Sequence, residues 1–116
     1  MHDWDTVREI AGAFPGAEES TTYGKPALKV GGRLVTWISP DRHAGDALAV
    51  PVDPDEKELV LESDDAYFQT PHYGGHPTVL IRLERISCEQ LEERVEDACL
   101  LRAPKRLADA YVSEGG

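Results

Sequence analysis

A pair of glycines between two strand-like runs limits the possible folds of this chain more than any other feature. Gly31-Gly32 separates residues 27–30 from residues 33–38, which are rich in β-branched and aromatic side chains, and another extended run covers residues 20–23. Glycine adopts positive φ at both central positions of a two-residue turn, which reverses the chain. The pattern therefore predicts a β-hairpin and, around it, a mostly antiparallel sheet.

Two further strands are predicted downstream. Residues 46–52 form a short apolar run that is closed by Pro51 and Pro54. These prolines indicate that the end of this strand lies near an edge of the sheet. Residues 78–84 alternate, with Val79 and Ile81 on one side of the strand. Between these strands, residues 66–76 mix aromatic residues with proline and glycine, and we predict a short extended piece followed by a loop.

Helical patterns surround the strands. Apolar residues recur at spacings of three and four from Trp4 to Phe14. Pro54 after an aspartate is typical of a helix start, and Ser87 with Gln90 forms a capping-box signature before a third helix. The four predicted helices cover residues 4–14, 53–62, 88–102 and 105–112.

One domain accounts for the whole chain, because 116 residues is an ordinary domain length. We predict an α+β fold in which the helices pack on one face of the antiparallel sheet. The other face would then be open to solvent. Val35, Trp37, Leu80 and Arg82 are predicted to point there, which is an unusually apolar set for a solvated surface.

The charge is distributed unevenly along the sequence. The net charge is −10, yet residues 1–19, 53–65 and 89–97 alone sum to −14, which leaves +4 on the predicted strands, their loops and the C-terminal turn. Acidic helix surfaces most often serve solubility. The alternative is a polarised molecule with a cationic sheet side. The total charge argues against a highly basic kind of nucleic-acid binder.

No motif for catalysis or cofactor binding is present: there is no nucleophile elbow, P-loop or dinucleotide fingerprint. His72 and His76 have a spacing that suits a metal site on a helix, but the glycines between them and Pro77 after them rule out a stable helix. We therefore predict no enzyme activity, no catalytic residues, no cofactor and no metal. A small-ligand or hydrolytic site around His72, Tyr73 and His76 is a less favoured possibility.

Aromatic residues interleaved with basic ones favour a nucleic-acid site, since bases stack on rings while cations contact phosphates. Each such residue alone is more often structural, and Trp37 in particular is more often a partly buried core residue. The candidate nucleic-acid-binding residues are Lys25, Lys29, Arg33, Trp37, His72, Tyr73, His76, Arg82, Lys105 and Arg106.

Membrane and export signals are not evident. No window approaches the roughly eighteen apolar residues of a membrane span, and the N-terminal residues are acidic where a signal peptide is basic. We expect a cytoplasmic protein with no membrane partner.

Four segments together resemble the MmcQ/YjbR family: KPALKVGGRLVTWIS, DALAVPVDPDEKELVLES, TPHYGGHPTVLIRLE and LRAPKRLADAY. The likeness spans nearly the whole of residues 1–116. It implies a CyaY-like α+β domain, similar in topology to the double-wing domain of a phage transcription factor. It also implies neither an enzyme activity nor a cofactor, and members are commonly described as DNA-binding.

Two functions follow as hypotheses. The first is weak, salt-sensitive DNA binding through the open sheet face, the hairpin and the loop at residues 70–77. The second is a protein-interaction or homodimerisation module that uses an apolar patch of Val35, Trp37 and Leu80.

Overall fold

One six-stranded sheet organises the computed structural model, which describes residues 3–113. Its strands are β1 (Ala17–Thr22), β2 (Lys25–Val30), β3 (Arg33–Ile38), β4 (Leu48–Pro51), β5 (Tyr67–Phe68) and β6 (Thr78–Ile81). They lie in the order β1-β2-β3-β4-β6-β5, and every neighbouring pair is antiparallel. The predicted hairpin is confirmed, with Gly31 and Gly32 at φ values of 58° and 83°.

Helices pack on one face of this sheet, which confirms the α+β fold. They are α1 (Trp4–Gly12), α2 (Lys57–Ser63), α3 (Cys88–Arg102) and α4 (Lys105–Ser113). The main core lies between α1, α3 and the strands, where Val7, Leu48, Ile81, Leu91 and Val95 are completely buried. Among the helices of residues 3–113, none is both long and apolar enough to cross a bilayer.

The two predicted helix caps form as expected. The Asp53 side chain accepts a hydrogen bond from the backbone N–H of Asp55 in the 3-10 turn Pro54–Glu56 that precedes α2, and the Ser87 side chain accepts one from that of Gln90. Each cap satisfies a donor that has no partner within its own helix.

The second face of the sheet is partly covered, so the prediction that it is open was wrong there. The loop of residues 39–47 and the 3-10 turn Pro71–Tyr73 fold over it and form a second apolar cluster. Leu80, predicted to face solvent, is 0% exposed in this cluster. Tyr73 packs beside it, and its hydroxyl lies 2.8 Å from the Ser39 hydroxyl. Trp37 and Arg82 are half-buried on this face.

The prediction that Val35 faces solvent was also wrong: Val35 lies in the helix-side core and is completely buried. The pairing of β2 with β3 passes from Leu28↔Thr36 to Lys29↔Leu34, which leaves Val35 without a single opposite residue. An extra residue of this kind changes which side chains face each side of a sheet.

Two predicted strand boundaries also change. β6 ends at Ile81, three residues before the predicted end, because the next residues turn: Arg85 N–H bonds to Arg82 O at 3.0 Å. β1 begins at Ala17, three residues before the predicted start of this run, so Glu18 lies on a strand.

Candidate nucleic-acid interface

A groove follows β3 on the second face of the sheet, and we call it the β3 groove. Leu34, Trp37 and Pro40 succeed one another along it, and the first two are about 10 Å apart at the usual rise of a strand. It encloses about 280 Å³. Its other lining residues include Tyr23, His72, Tyr73, His76 and Arg102.

The wall formed by the Pro71–Tyr73 turn is tied to the loop that follows β3. Besides the contact between Ser39 and Tyr73, the Thr70 hydroxyl donates to the Asp41 carboxylate at 2.5 Å. This hydrogen bond and a second one from the backbone N–H of His43 lower the pKa of Asp41, so its carboxylate is charged at neutral pH. The two loops therefore hold each other in place over the sheet.

Lys57, the first residue of α2, fastens the same wall from its other side. Its ammonium donates to the backbone carbonyls of Tyr73, at 2.7 Å, and of His76, at 2.6 Å. Burial lowers the pKa of this ammonium. Because both acceptors belong to the segment that bears His72 and His76, Lys57 holds the backbone from which the two imidazoles project.

Replacing Lys57 by methionine tests this role. We expect Lys57→Met to lower the free energy of unfolding by about 1–2 kcal/mol, near the lower end for hydrogen bonds to a charged group, because the ammonium remains partly solvated. Urea denaturation of Lys29→Met is the matched control, since Lys29 is also half-buried but forms no hydrogen bond among the described side-chain contacts of residues 3–113. An equal loss in both variants would contradict a fastening role for Lys57.

His72 and His76 supply flat, exposed surfaces along this wall. Their ring centroids are 6.0 Å apart with an interplanar angle of 29°, and the His72 ring lies edge-on to Tyr73 at 4.9 Å. Across residues 3–113, no three His, Cys, Asp or Glu side chains gather as metal ligands would. The rings of His72, Tyr73 and His76 together give this wall an aromatic surface.

Two cationic residues lie at the Leu34 end of the groove. Lys29 lies opposite Leu34 in the sheet, and the Arg102 guanidinium donates to the Leu34 backbone carbonyl at 3.5 Å. Arg33 precedes Leu34 and pairs with the core residue Val30, so its side chain points to the other face of the sheet. Within the described part of the chain, neither Lys29 nor Arg102 has a carboxylate closer than 4.0 Å. The Arg102 guanidinium is therefore open to an anion.

Four other candidate residues do not join this group. Lys25 pairs with Asp46 at 2.7 Å, and Lys105 pairs with Asp109, also at 2.7 Å. Arg82 lies over the ring of Phe68 near the β5 edge, 4.1 Å from the ring centroid. Arg106 is exposed on α4 and does not line the groove. Of the ten candidates, the groove and its cationic end therefore unite Lys29, Trp37, His72, Tyr73 and His76.

Comparison with known proteins identifies the family. The YjbR family model matches residues 12–101. The chain belongs to the YjbR family. It is 34% identical, over an alignment of 132 positions that covers all of both chains, to the uncharacterized proteins Rv2570 of Mycobacterium tuberculosis (strain H37Rv) and Mb2600 of Mycobacterium bovis. The part that matches the YjbR model includes every groove residue named above except Arg102, which follows directly after it.

The charge of this YjbR domain is less segregated than the sequence predicted. Glu18 lies on β1 directly opposite Lys29. Asp41 lies beside Tyr23 and His72 in a hollow that adjoins the Pro40 end of the groove. The sheet side is therefore not uniformly cationic: the β3 groove has a cationic end at Leu34 and an acidic end at Pro40.

The candidate residues named from the sequence do not include Arg102 or the exposed Tyr23, although Tyr23 belongs to the same pattern of aromatic and basic residues. Tyr23 is 88% exposed and has φ of 50° in the turn between β1 and β2. A tyrosine followed by Gly24 is only a weak sequence signal for this conformation. Arg102 is the last residue of α3 and donates a hydrogen bond to Leu34 on β3. The two residues are 68 positions apart in sequence, and no local pattern connects them.

Proposed function

We propose that this YjbR domain binds single-stranded DNA along the β3 groove and carries out no reaction on it. The observation on which this rests is Trp37, a half-buried aromatic residue in a groove that has a cationic end. Stacking of a base on an aromatic ring stabilises a single strand whatever its sequence, and nearby cations bind its phosphates. His72 and His76 offer two further rings along the wall.

The distribution of charge favours a single strand over a duplex. Tight duplex binders contact about six to ten phosphates, whereas the cationic end here consists of Lys29 and Arg102. The net charge of −10 also repels a long polyanion. We expect modest affinity, with the logarithm of the binding constant falling by about 1.4 per tenfold rise in salt if two phosphates are neutralised on a single strand.

Fluorescence anisotropy of a labelled, mixed-sequence 12-nucleotide DNA at low salt tests the proposal. Trp37→Ala is expected to weaken binding by about 5- to 150-fold, which corresponds to one lost base stack. Trp4→Phe is the matched control, because Trp4 lies on α1 against the helix-side core, and this variant is expected to bind like wild type. Absence of binding at tens of micromolar protein, or equal weakening in both variants, would contradict the proposal.

A protein partner or a second copy of the chain is the second candidate. Tyr23, 88% exposed beside Trp37 in the lining of the groove, favours it, since Tyr and Trp are enriched at protein interfaces. Light scattering after size exclusion separates this candidate from the first. A dimer that Trp37→Ala dissociates supports it, and a monomer at high concentration argues against self-association.

A further inference from the structure

The Arg102 guanidinium has most of its hydrogen-bonding capacity unused. It carries five N–H donors, and among the described residues the one acceptor recorded for it is the carbonyl of Leu34, at a long 3.5 Å. Arg102 is half-buried, and its side chain lines the β3 groove. A guanidinium that lines a groove and has free N–H donors is suited to bidentate binding of a phosphate.

The distance from Arg102 to the stacking surface is comparable to the length of one nucleotide. Leu34, to which Arg102 bonds, and Trp37 are three residues apart on one strand, or about 10 Å. Both side chains line the same groove. A phosphate at one of these points and a base at the other can therefore belong to one nucleotide.

The opposite end of the groove disfavours further phosphates. Asp41 adjoins it beside Tyr23 and His72. The exposed carboxylate of Asp46 lies in the same part of the fold, where it pairs with Lys25 at the end of the β1–β2 turn. A strand that continued past Trp37 in this direction would bring its phosphates toward these carboxylates, whereas a strand that ends in the groove would not.

We infer that the β3 groove receives the terminal nucleotide of a DNA strand, with its terminal phosphate bound by Arg102 and its base stacked on Trp37. This inference rests on the proposed function and specifies the ligand of the same site. Lys29, opposite Leu34, is the next cation along the sheet, with Glu18 of β1 on its other side. Arg102 is thus a specificity-determining residue: it distinguishes a phosphorylated strand end from a hydroxyl end.

Thymidine dinucleotides with a 5′-phosphate, a 3′-phosphate or neither are suitable probes. The chain has two tryptophans, so Trp4→Phe leaves Trp37 as the one tryptophan whose fluorescence reports on the groove. A phosphorylated dinucleotide is expected to bind about tenfold more tightly than the form without a terminal phosphate, as one charge-assisted contact would give. In the same background, Arg102→Gln should abolish this preference and Arg106→Gln should preserve it.

The outcomes separate this inference from the proposed function. If the 12-nucleotide strand binds in a Trp37-dependent manner but a terminal phosphate makes no difference, the inference is wrong and the proposed function stands. If neither the strand nor any dinucleotide binds, both fail. Should Arg102→Gln not fold, Arg102→Lys decides, because it retains the charge without the planar fork. It is expected to reduce the phosphate preference several-fold, and an unchanged preference would contradict the role of the guanidinium.

Discussion

The Leu80→Ala variant is expected to lose about 2–5 kcal/mol of its free energy of unfolding, as large-to-small substitutions in a closed core do. Leu80 is 0% exposed and packs in the second apolar cluster with Ala49 and Tyr73, beneath the two loops that form the groove wall. Removing its side chain leaves a cavity that the sheet on one side and the tied loops on the other cannot easily close. Urea denaturation, followed by circular dichroism, measures the loss.

Leu59→Ala is the control for this prediction. Leu59 lies on α2 and is 70% exposed, so its truncation should change the free energy of unfolding by no more than about 0.5 kcal/mol. Alternation in the sequence placed Leu80 on an open face, where it would behave like Leu59. A similar, small effect of both substitutions would therefore contradict the covered second face.

Local patterns made the hairpin and the helix caps predictable. The glycine pair Gly31-Gly32 by itself indicates a turn with positive φ, and Ser87 lies only three residues from the N–H that it caps. In the same way, the alternation from Val79 to Ile81 correctly indicated the helix-side face of β6. Each of these features depends on interactions between residues close in sequence.

The cover on the second face had no comparable signal. Alternation shows that two sets of side chains face opposite ways, but it does not show what lies above either set. The turn that covers Leu80 is held by Tyr73 through Ser39, which is 34 residues earlier, and by Lys57, which is 16 residues earlier. The irregular pairing that turns Val35 inward is likewise a property of two strands together and not of the sequence of one.

Only part of the candidate site could be predicted, because its assembly also depends on residues that are far apart in sequence. Trp37 and the segment from His72 to His76 meet because neighbouring loops fold onto one face. The list of candidate residues treated Lys25 and Lys105 as free cations, although both form ion pairs. The pair of Lys105 with Asp109 has the four-residue helical spacing and was visible in the sequence. The pair of Lys25 with Asp46, 21 residues apart, was not.

The packing of α4 against the hairpin predicts a second large effect, from Gly31→Ala. Gly31 has φ of 58°, and a Cβ atom there would lie 2.6 Å from Pro104 Cγ and 3.0 Å from Leu107 Cδ1. Real Cβ atoms do not approach a proline ring so closely, so either the turn or α4 must move. Together, the backbone strain and the displaced packing should lower the free energy of unfolding by about 2–5 kcal/mol.

Gly32→Ala separates the two contributions. Gly32 also has positive φ, at 83°, but a Cβ atom there would meet nothing within 4 Å. It should therefore cost only the strain of a left-handed alanine, about 1–2 kcal/mol. The difference between the two variants in urea denaturation measures the contact of the turn with Pro104 and Leu107. This contact joins the KVGG and APKRL segments, two of the stretches that marked the family in the sequence, and equal destabilisation by both substitutions would mean that α4 does not pack there.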